Sequence, residues 1–400
     1  MDPIDELLTR GVDTIYPTKE ALEKVLRSGK KLRLYQGFDP SGDKLHIGHA
    51  VGMRKHRQFQ DLGHEVIFLV GDGTGQAGDP SGKKTAREKF FTQEELRANA
   101  RDYIHQAAKI VRFEGPNPIK ILYNGDWLNK LNLIDILNLA QHFSVQQLLE
   151  RDIFQERIKR GESINLREFI YPLLQAYDSV HMKVDLELGG TDQTFNMLAG
   201  RTLVAAMQGR EKFVMTVPLL TDAKGTKLGK SEGNVIGITD PPNDFYGEIM
   251  SLGDDSIIPC FTLLTNLPLS EIDKMEQSII GGENPMTYKK KLAYELTKQI
   301  NTESEAKTAQ EYFEKTYQQG QLSSADLPTV SYKTLPTNVT IVDFLIQTDL
   351  VETRAEAKRL LRQKAVEYNN EIITDDKYQI TPAAGDIIKV GKKRHLKLVE

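Results

Sequence analysis

The chain has 400 residues, of which 39% are hydrophobic and 27% charged, and its net charge is −4. This length predicts two or three domains with normal apolar cores. No run is long and apolar enough to predict a membrane span, and the acidic N-terminus lacks the basic and apolar regions of a signal peptide. The single cysteine, Cys260, excludes an intrachain disulfide and a cysteine-rich zinc site. These features favour a cytoplasmic protein.

Strand-like and helix-like segments alternate through the first half of the chain. In chain order we predict strand Leu32–Phe38, helix His49–Leu62, strand Glu65–Val70, helix Gln93–Val111, strand Ile119–Leu122, helix Ile134–Phe143, strand Val184–Leu188, a helix ending near Met207, and strand Phe213–Val217. This alternation predicts an α/β fold in which a parallel sheet carries helices on both faces.

Two histidines follow the first predicted strand. After the turn Asp39–Gly42, the sequence reads His46-Ile47-Gly48-His49. Both imidazoles share one face at the start of a predicted helix, where free N–H groups and the helix dipole favour phosphate. A pair of ordinary surface histidines and a pair of zinc ligands are the alternatives, although no third zinc ligand is apparent. Gly48 admits a ligand close to the backbone, and we therefore favour phosphate binding.

A glycine-rich turn follows the second long strand. Gly73–Gly78 matches G-x-G-x-x-G, but Asp79-Pro80-Ser81-Gly82 stands where a dinucleotide-binding helix should open, so we interpret the match as accidental. Asp79 is better placed to receive an ammonium group. The basic residues that follow, which include Lys83 and Arg87, form either a solvated helix face or a loop that closes over phosphates.

Three polar side chains stand on one face of an otherwise apolar predicted helix. Tyr171, Gln175 and Asp178 are spaced i, i+4 and i+7. Each alone is typical of an ordinary helix surface, whereas the stripe indicates a polar pocket wall. Further along, Lys227-Leu228-Gly229-Lys230-Ser231 lies in a loop-like segment. Two lysines spaced by three in a glycine-containing loop can fold over a polyanion.

The last third of the chain has a different pattern. Residues 242–317 are nearly all helical in pattern, and residues 322–340 are rich in Ser, Pro and Thr and predict a linker. Two short predicted helices follow, Ile341–Gln347 and Thr353–Lys364, and then strand-like pieces.

Basic residues are concentrated near the C-terminus. Arg354, Lys358 and Arg362 form an i, i+4, i+8 stripe, and Lys392-Lys393-Arg394 forms a second cluster. Phe344–Glu400 holds 11 Lys and Arg against 9 Asp and Glu in a chain that is acidic as a whole. A solubilising surface is one interpretation, and a local patch for nucleic acid is the other.

Together, these motifs resemble the tyrosyl-tRNA synthetases of bacterial type, which are class I aminoacyl-tRNA synthetases. The matching pieces span essentially the whole chain and comprise Tyr35–Ser41, His46–His49 (the HIGH signature), Gly78–Lys83, Tyr171–Asp178, Gly189–Gln193 and Lys227–Ser231 (the KMSKS signature). The resemblance implies a Rossmann-like catalytic domain with an insertion in residues 1–241, a helical anticodon-binding domain in 242–321, a linker in 322–340 and an S4-like RNA-binding domain in 341–400.

The resemblance also implies roles for individual residues. For tyrosine it implies Tyr35, Asp79, Tyr171, Gln175, Asp178 and Gln193. For ATP it implies Gly37, Asp39, Ser41, His46, Gly48, His49, Gly190, Asp192, Leu219, Leu220 and Lys230. For catalysis it implies His46, His49, Lys227, Lys230, Ser231, Lys83 and Arg87. For tRNA we assign Arg354, Lys358, Arg362, Lys392, Lys393 and Arg394.

The implied activity is the activation of L-tyrosine with ATP and Mg²⁺ and its transfer to tRNA(Tyr) by a homodimer, with no metal held by the protein itself. The sequence departs from the family pattern at Gly229, where the signature has Ser, at Glu187, where some members have Gln, and at Gly73 and Gln76, where bulkier apolar residues are frequent. Two alternatives stay open. Tyr35 and Asp178 argue against a tryptophanyl enzyme, and the intact histidine and lysine motifs argue against an inactive RNA-binding derivative.

Overall fold

A computed structural model describes residues 2–42, 44–81, 90–222, 225, 228, 235–318, 327, 329–351, 353–369, 371–391 and 394–400. The chain forms two compact units, the first extending to Gln310 and the second comprising Glu311–Glu400. The first unit contains a six-stranded sheet, and the second contains a five-stranded sheet and a two-stranded sheet. The predicted α/β class is confirmed.

The sheet of the first unit is parallel except at one edge. Its strands are β1 (Thr14–Tyr16), β2 (Arg33–Phe38), β3 (Glu65–Val70), β4 (Lys120–Tyr123), β5 (Leu186–Gly190) and β6 (Phe213–Val217). Their spatial order is β1-β6-β5-β2-β3-β4, and β1 pairs antiparallel with β6. The chain progresses outward from β2 through β3 to β4, and outward on the other side from β5 to β6. The order therefore reverses between β2 and β5, and the carboxyl ends of such strands form the crevice in which α/β sheets bind ligands.

Helices cover this sheet and continue past it. They are α1 (Pro3–Thr9), α2 (Lys19–Arg27), α3 (Ile47–Asp61), α4 (Thr74–Ala77), α5 (Gln93–Ala107), α6 (Gly125–Leu128), α7 (Leu133–Ala140), α8 (Val145–Leu149), α9 (Asp152–Lys159), α10 (Leu166–His181), α11 (Thr194–Gln208), α12 (Pro242–Met250), α13 (Ile257–Leu264), α14 (Leu269–Ile280), α15 (Pro285–Ile300) and α16 (Glu303–Phe313). In the part of the chain that the structure describes, none of the helices combines the length and apolarity that a bilayer span requires.

The strands and helices predicted for the first unit are present, and several of them begin or end at other residues than predicted. β3 and β6 have the predicted bounds, whereas α5 stops at Ala107, before the predicted end at Val111. β5 continues through Gly189 and Gly190, beyond the predicted end at Leu188. Both glycines pair with β6, and Gly190 lies opposite Val217. This pairing extends the strand beyond the residues whose side-chain pattern predicts it.

The predicted boundary at residue 241 is not a boundary between compact units. The helical residues 242–310 belong to the first unit, which also holds the sheet. One physical reason is Arg10, a buried residue whose guanidinium donates to four carbonyl oxygens at the end of α13, those of Thr262 (2.8 Å), Leu267 (2.7 Å), Thr265 (2.7 Å) and Phe261 (3.2 Å). A cation at a helix C-terminus satisfies orphan carbonyls and the helix dipole together.

The second unit includes part of the segment that was predicted as a linker. Its elements are β7 (Thr329–Ser331), β8 (Val339–Thr340), α17 (Ile341–Gln347), α18 (Arg354–Arg362), β9 (Val366–Tyr368), β10 (Glu371–Ile372), β11 (Gln379–Ile380), β12 (Ile387–Val390) and β13 (Arg394–Val399). β7 lies inside the predicted linker 322–340 yet pairs parallel with β13, Val330 opposite Leu398. Phe344 and Leu398 are fully buried in one core. The polar composition of 322–340 had concealed a strand of this sheet.

Candidate active site

A cavity of about 290 Å³ in the first unit includes residues at the carboxyl ends of β2 and β5. Every described residue that was predicted for tyrosine or ATP lines it, namely Tyr35, Gly37, Asp39, Ser41, His46, Gly48, His49, Asp79, Tyr171, Gln175, Asp178, Gly190, Asp192, Gln193, Leu219 and Leu220. The predicted catalytic residues Lys83, Arg87, Lys227, Lys230 and Ser231 lie outside the described residues. The predicted site therefore lies where the strand order of the sheet reverses, between β2 and β5.

Asp178 is a buried carboxylate held by two donors. It stands on α10, which begins at a capping box formed by Asn165 and Glu168. Asn124 Nδ2 donates to one oxygen of Asp178 at 2.9 Å and Trp127 Nε1 donates to the other at 2.8 Å. Burial raises the pKa of Asp178 well above its usual range, and these two hydrogen bonds oppose the rise. A carboxylate has about four acceptor positions, so Asp178 keeps the capacity to accept from a ligand hydroxyl.

Tyr35 reaches the same region from the sheet. Its ring is fully buried on β2 in a cluster with Ile67, Leu69 and Met182. Its hydroxyl contacts Ser179 Oγ at 2.9 Å, one residue beyond Asp178. Burial raises the pKa of Tyr35 well above its usual value, so the phenol stays neutral and can both donate and accept.

Three further residues predicted for tyrosine, Asp79, Tyr171 and Gln175, each have a defined contact. The Tyr171 hydroxyl donates to Asp39 Oδ2 at 3.0 Å. Asp79 Oδ2 accepts from Gln193 Nε2 at 2.8 Å. Gln175 Nε2 donates at 2.9 Å to Glu187, a residue that the sequence had left without a role. This wall of the cavity thus carries three carboxylates and two amides, a set suited to a cationic group.

The two histidines form the start of α3. His46 is the N-cap residue, and its Nδ1 accepts from the Gly48 N–H at 3.2 Å, while His49 Nδ1 accepts from the His46 N–H at 3.1 Å. Because Nδ1 accepts a hydrogen bond in each ring, Nε2 is the nitrogen left to donate to a phosphate oxygen. A Cβ on Gly48 would lie 3.0 Å from the His46 ring, so glycine lets the two rings and the backbone approach one ligand.

Four residues at this site carry no sequence signal of their own. Asn124, Trp127 and Ser179 contact the predicted pair Tyr35 and Asp178, and Lys212 contacts Ser179 at 2.8 Å. Asn124 follows β4, which ends at the same edge of the sheet as β2 and β5. Its position directly after a predicted strand is the feature of the sequence that could have placed it at the site. Lys212 stands in a charged run, Arg210-Glu211-Lys212, whose pattern indicates solvent exposure.

The predicted tRNA residues lie in the second unit. Arg354, Lys358 and Arg362 are all exposed on α18, as the spacing predicted. Arg354 pairs with Asp343, and Lys358 Nζ lies 3.0 Å from Asp376. Arg394 is also exposed and donates to Glu356 Oε1 at 2.7 Å. Lys392 and Lys393 lie outside the described residues. Acidic neighbours therefore offset part of the charge of the stripe.

Comparison with known families agrees with this geometry. The family model described as class I tRNA synthetases (W and Y) matches residues 27–318. The chain belongs to this family. It is 41% identical over 398 residues to a tyrosine–tRNA ligase of Dehalococcoides mccartyi, covering 99% of this chain and 98% of that protein. It is 40% identical over 395 residues to a tyrosine–tRNA ligase of Thermotoga maritima, covering 98% of this chain and 96% of that protein.

A solved structure supports the fold assigned to this family member. The tyrosyl-tRNA synthetase of Archaeoglobus fulgidus, solved with L-tyrosine, superposes with a TM-score of 0.62 over 77% of this chain and 99% of that one. The two sequences are 20% identical over the matched part, so the likeness concerns the fold. The Rossmann-like architecture predicted from the sequence is thereby confirmed.

Proposed function

We propose that this chain is a tyrosine–tRNA ligase, which joins L-tyrosine to tRNA(Tyr) at the expense of ATP. The observation that carries the proposal is Asp178, a carboxylate that is 1% exposed, lines the cavity and is held by two donors. A buried carboxylate with unused acceptor positions selects a ligand that donates a hydrogen bond, and the phenol of tyrosine does so. The names of the relatives at about 40% identity support the same substrate.

The first step is an in-line displacement at phosphorus. An oxygen of the tyrosine carboxylate forms a bond to the α-phosphorus of ATP, the bond from that phosphorus to the bridging oxygen of the β-phosphate breaks, and pyrophosphate leaves. The carboxylate is already a nucleophile, so this step needs no general base. Catalysis consists of positioning the reactants and stabilising the charge that develops on the phosphates.

The start of α3 supplies the described part of that stabilisation. His46 and His49 can donate through Nε2, and both line the cavity together with Gly48. We assign Lys227, Lys230 and Ser231, with Lys83 and Arg87, to the departing pyrophosphate. In the second step a ribose hydroxyl of the terminal tRNA adenosine attacks the tyrosyl carbonyl carbon, and AMP leaves.

Mg²⁺ accompanies ATP in this proposal. Among the described residues no group of three or more His, Cys, Asp or Glu side chains is arranged to hold a metal ion. Mg²⁺ usually keeps several waters and binds substrate phosphates with few protein ligands, so the proposal places the ion on ATP. The ion would neutralise phosphate charge when bound.

The proposed cellular location is the cytoplasm, where ATP and tRNA are both available. Cys260, the single cysteine of the chain, is buried. Burial raises the pKa of its thiol to about 12, so the reactive thiolate is disfavoured. An unreactive buried thiol supports a protein that is made and kept without disulfide chemistry.

Neutralising the basic stripe of α18 should separate tRNA charging from amino-acid activation. The full-length variant R354Q/K358Q/R362Q should keep wild-type pyrophosphate exchange but charge tRNA more slowly at about 0.15 M salt, since phosphate contacts release counterions. Each lost phosphate contact should lower the slope of log affinity against log salt by about 0.7 to 0.9. Filter binding over a salt series measures that slope.

The matched control removes three exposed lysine charges from the first unit, as K24Q/K30Q/K183Q. This control should charge tRNA like the wild type. If the α18 variant and the control have the same salt slope and the same charging rate, the assignment of tRNA binding to α18 is wrong.

We propose further that the chain forms a homodimer. Leu133, Ile134 and Leu137 stand on one side of α7 and are 71%, 61% and 54% exposed, an apolar surface of the kind that interfaces cover. Sedimentation velocity should show a dimer, and L133D/L137D should sediment as a monomer. Ile280 on α14 is 71% exposed, and I280D is the matched control that should remain dimeric. A wild-type monomer at micromolar concentration would contradict the proposal.

A further inference from the structure

A buried ion pair adjoins the cavity and has no part in the mechanism described so far. Glu187 on β5 is 1% exposed, and Lys212, just before β6, is 0% exposed. The Lys212 ammonium contacts Glu187 Oε2, Ser179 Oγ (2.8 Å) and the carbonyl oxygen of Met197 (3.2 Å). These three acceptors satisfy all three of its N–H donors.

Stability alone is a weak explanation for this pair. Removing two charges from water costs several kcal/mol per ion, and apolar replacements of buried pairs are often neutral or stabilising. The first unit already packs apolar side chains around the pair's neighbour Tyr35, which stands beside Glu187 in the register of β2 and β5. A fixed pair of charges at this position is better explained by a neighbouring side chain that the pair orients.

The side chain that Glu187 orients is Gln175. Glu187 Oε1 accepts from Gln175 Nε2 at 2.9 Å, and an ionised carboxylate can only accept. The amide must therefore turn its NH₂ group toward Glu187 and its carbonyl oxygen away. That oxygen, Gln175 Oε1, is buried without a hydrogen-bond partner among the residues that the structure describes. Gln175 lines the cavity together with Asp79, the residue predicted to receive an ammonium group.

We propose that Glu187 and Lys212 are positioning residues that lock the Gln175 amide with its carbonyl oxygen available to the α-ammonium of the substrate. This inference rests on the proposed function, because it takes tyrosine as the ligand. The contact with the Lys212 ammonium holds the Glu187 carboxylate in place, and Glu187 in turn fixes the amide. A neutral, unpaired residue at position 187 would leave both orientations of the amide open, and only one of them accepts a hydrogen bond from a cation.

The test removes both charges at once and compares three ligands. In E187Q/K212M the net charge is unchanged, so the general attraction of the site for cations is kept. Calorimetry would measure the affinity for L-tyrosine, for tyramine, which has the ammonium but no carboxylate, and for 3-(4-hydroxyphenyl)propionate, which has the carboxylate but no ammonium. We expect an approximately tenfold loss for L-tyrosine and tyramine, the low end for a hydrogen bond to a charged group, and less than a twofold change for the propionate.

Two further variants separate positioning from folding. Q175L removes the acceptor itself, and adding E187Q/K212M to Q175L should weaken tyramine binding no further. K289M breaks the ion pair of another buried lysine, Lys289 on α15, with the exposed Asp254, and should leave all three affinities unchanged. If the double variant does not fold, E187M/K212M, which also leaves the net charge unchanged, must show the same selective loss.

Equal losses for all three ligands would overturn the proposal, because they would mean that the pair only maintains the shape of the site. Unchanged tyramine binding in E187Q/K212M, or a further loss on the Q175L background, would also overturn it. A wild-type chain that binds none of the three ligands would instead refute the proposed function, and this outcome is read from the unmutated protein.

Discussion

Phenylalanine should be activated about 10⁵-fold less efficiently than tyrosine. Phenylalanine would leave the Asp178 carboxylate and the Tyr35 hydroxyl facing an apolar ring, and buried polar groups without partners are costly. A preference of this magnitude is the one known for the tyrosyl enzymes of this family. The ratio of kcat/KM values for pyrophosphate exchange with the two amino acids measures it.

The size of the ratio distinguishes two kinds of pocket. A pocket that merely fits the ring discriminates by about 10- to 200-fold, whereas a pocket built to bond the hydroxyl discriminates by orders of magnitude more. The variant D178L keeps the pocket closed but has no acceptor, and its ratio should fall toward the lower range. A wild-type ratio of about 100 would show that Asp178 and Tyr35 do not recognise the hydroxyl.

The second large effect concerns the start of α3. The variant H46A should slow formation of the adenylate by about 10²- to 10³-fold with tyrosine affinity nearly unchanged, because a donor to the phosphates acts as charge develops. Single-turnover kinetics measures the rate, and equilibrium dialysis measures the affinity. A loss of tyrosine affinity with an unchanged rate would contradict the assignment of His46 to the phosphates.

Two variants control for the second role of His46 as the N-cap of α3. H46A also removes the acceptor for the Gly48 N–H, which should lower the free energy of unfolding by about 1 kcal/mol. H46N restores a good N-cap but cannot reach the position of Nε2, so it should be as stable as the wild type and still slow. His105 is exposed on α5, and H105A should behave like the wild type in both assays.

The sequence predicted the sheet and the residues around the cavity well, for reasons that are local. β3 and β6 are short apolar runs between turn residues, and their pattern alone defines them. The i, i+4, i+7 spacing of Tyr171, Gln175 and Asp178 depends only on helix geometry, and one helix, α10, carries all three. Chain order through β2, α3 and β3 is typical of a parallel unit, so His46 could be expected beside the end of a strand.

What sequence reasoning missed depends on contacts between distant segments. Nothing near Lys212 indicates that it is buried against Glu187 or Ser179, because the partners come from β5 and α10. Arg10 likewise bonds carbonyl groups more than 250 positions away, which no local pattern indicates. β7 escaped detection because a strand of three residues in a polar segment has too little pattern, and its pairing with β13 defines it.

The most direct test of the central claim is amino-acid-dependent exchange of pyrophosphate into ATP by the full-length protein, with tyrosine and tryptophan offered separately. The account predicts exchange with tyrosine, none above background with tryptophan, and transfer of tyrosine to tRNA(Tyr) when that tRNA is added. Exchange that tryptophan supports as well as tyrosine would contradict the assignment of Asp178 and Tyr35. The absence of exchange with both amino acids, in a protein that still binds tRNA, would identify an RNA-binding protein without catalysis.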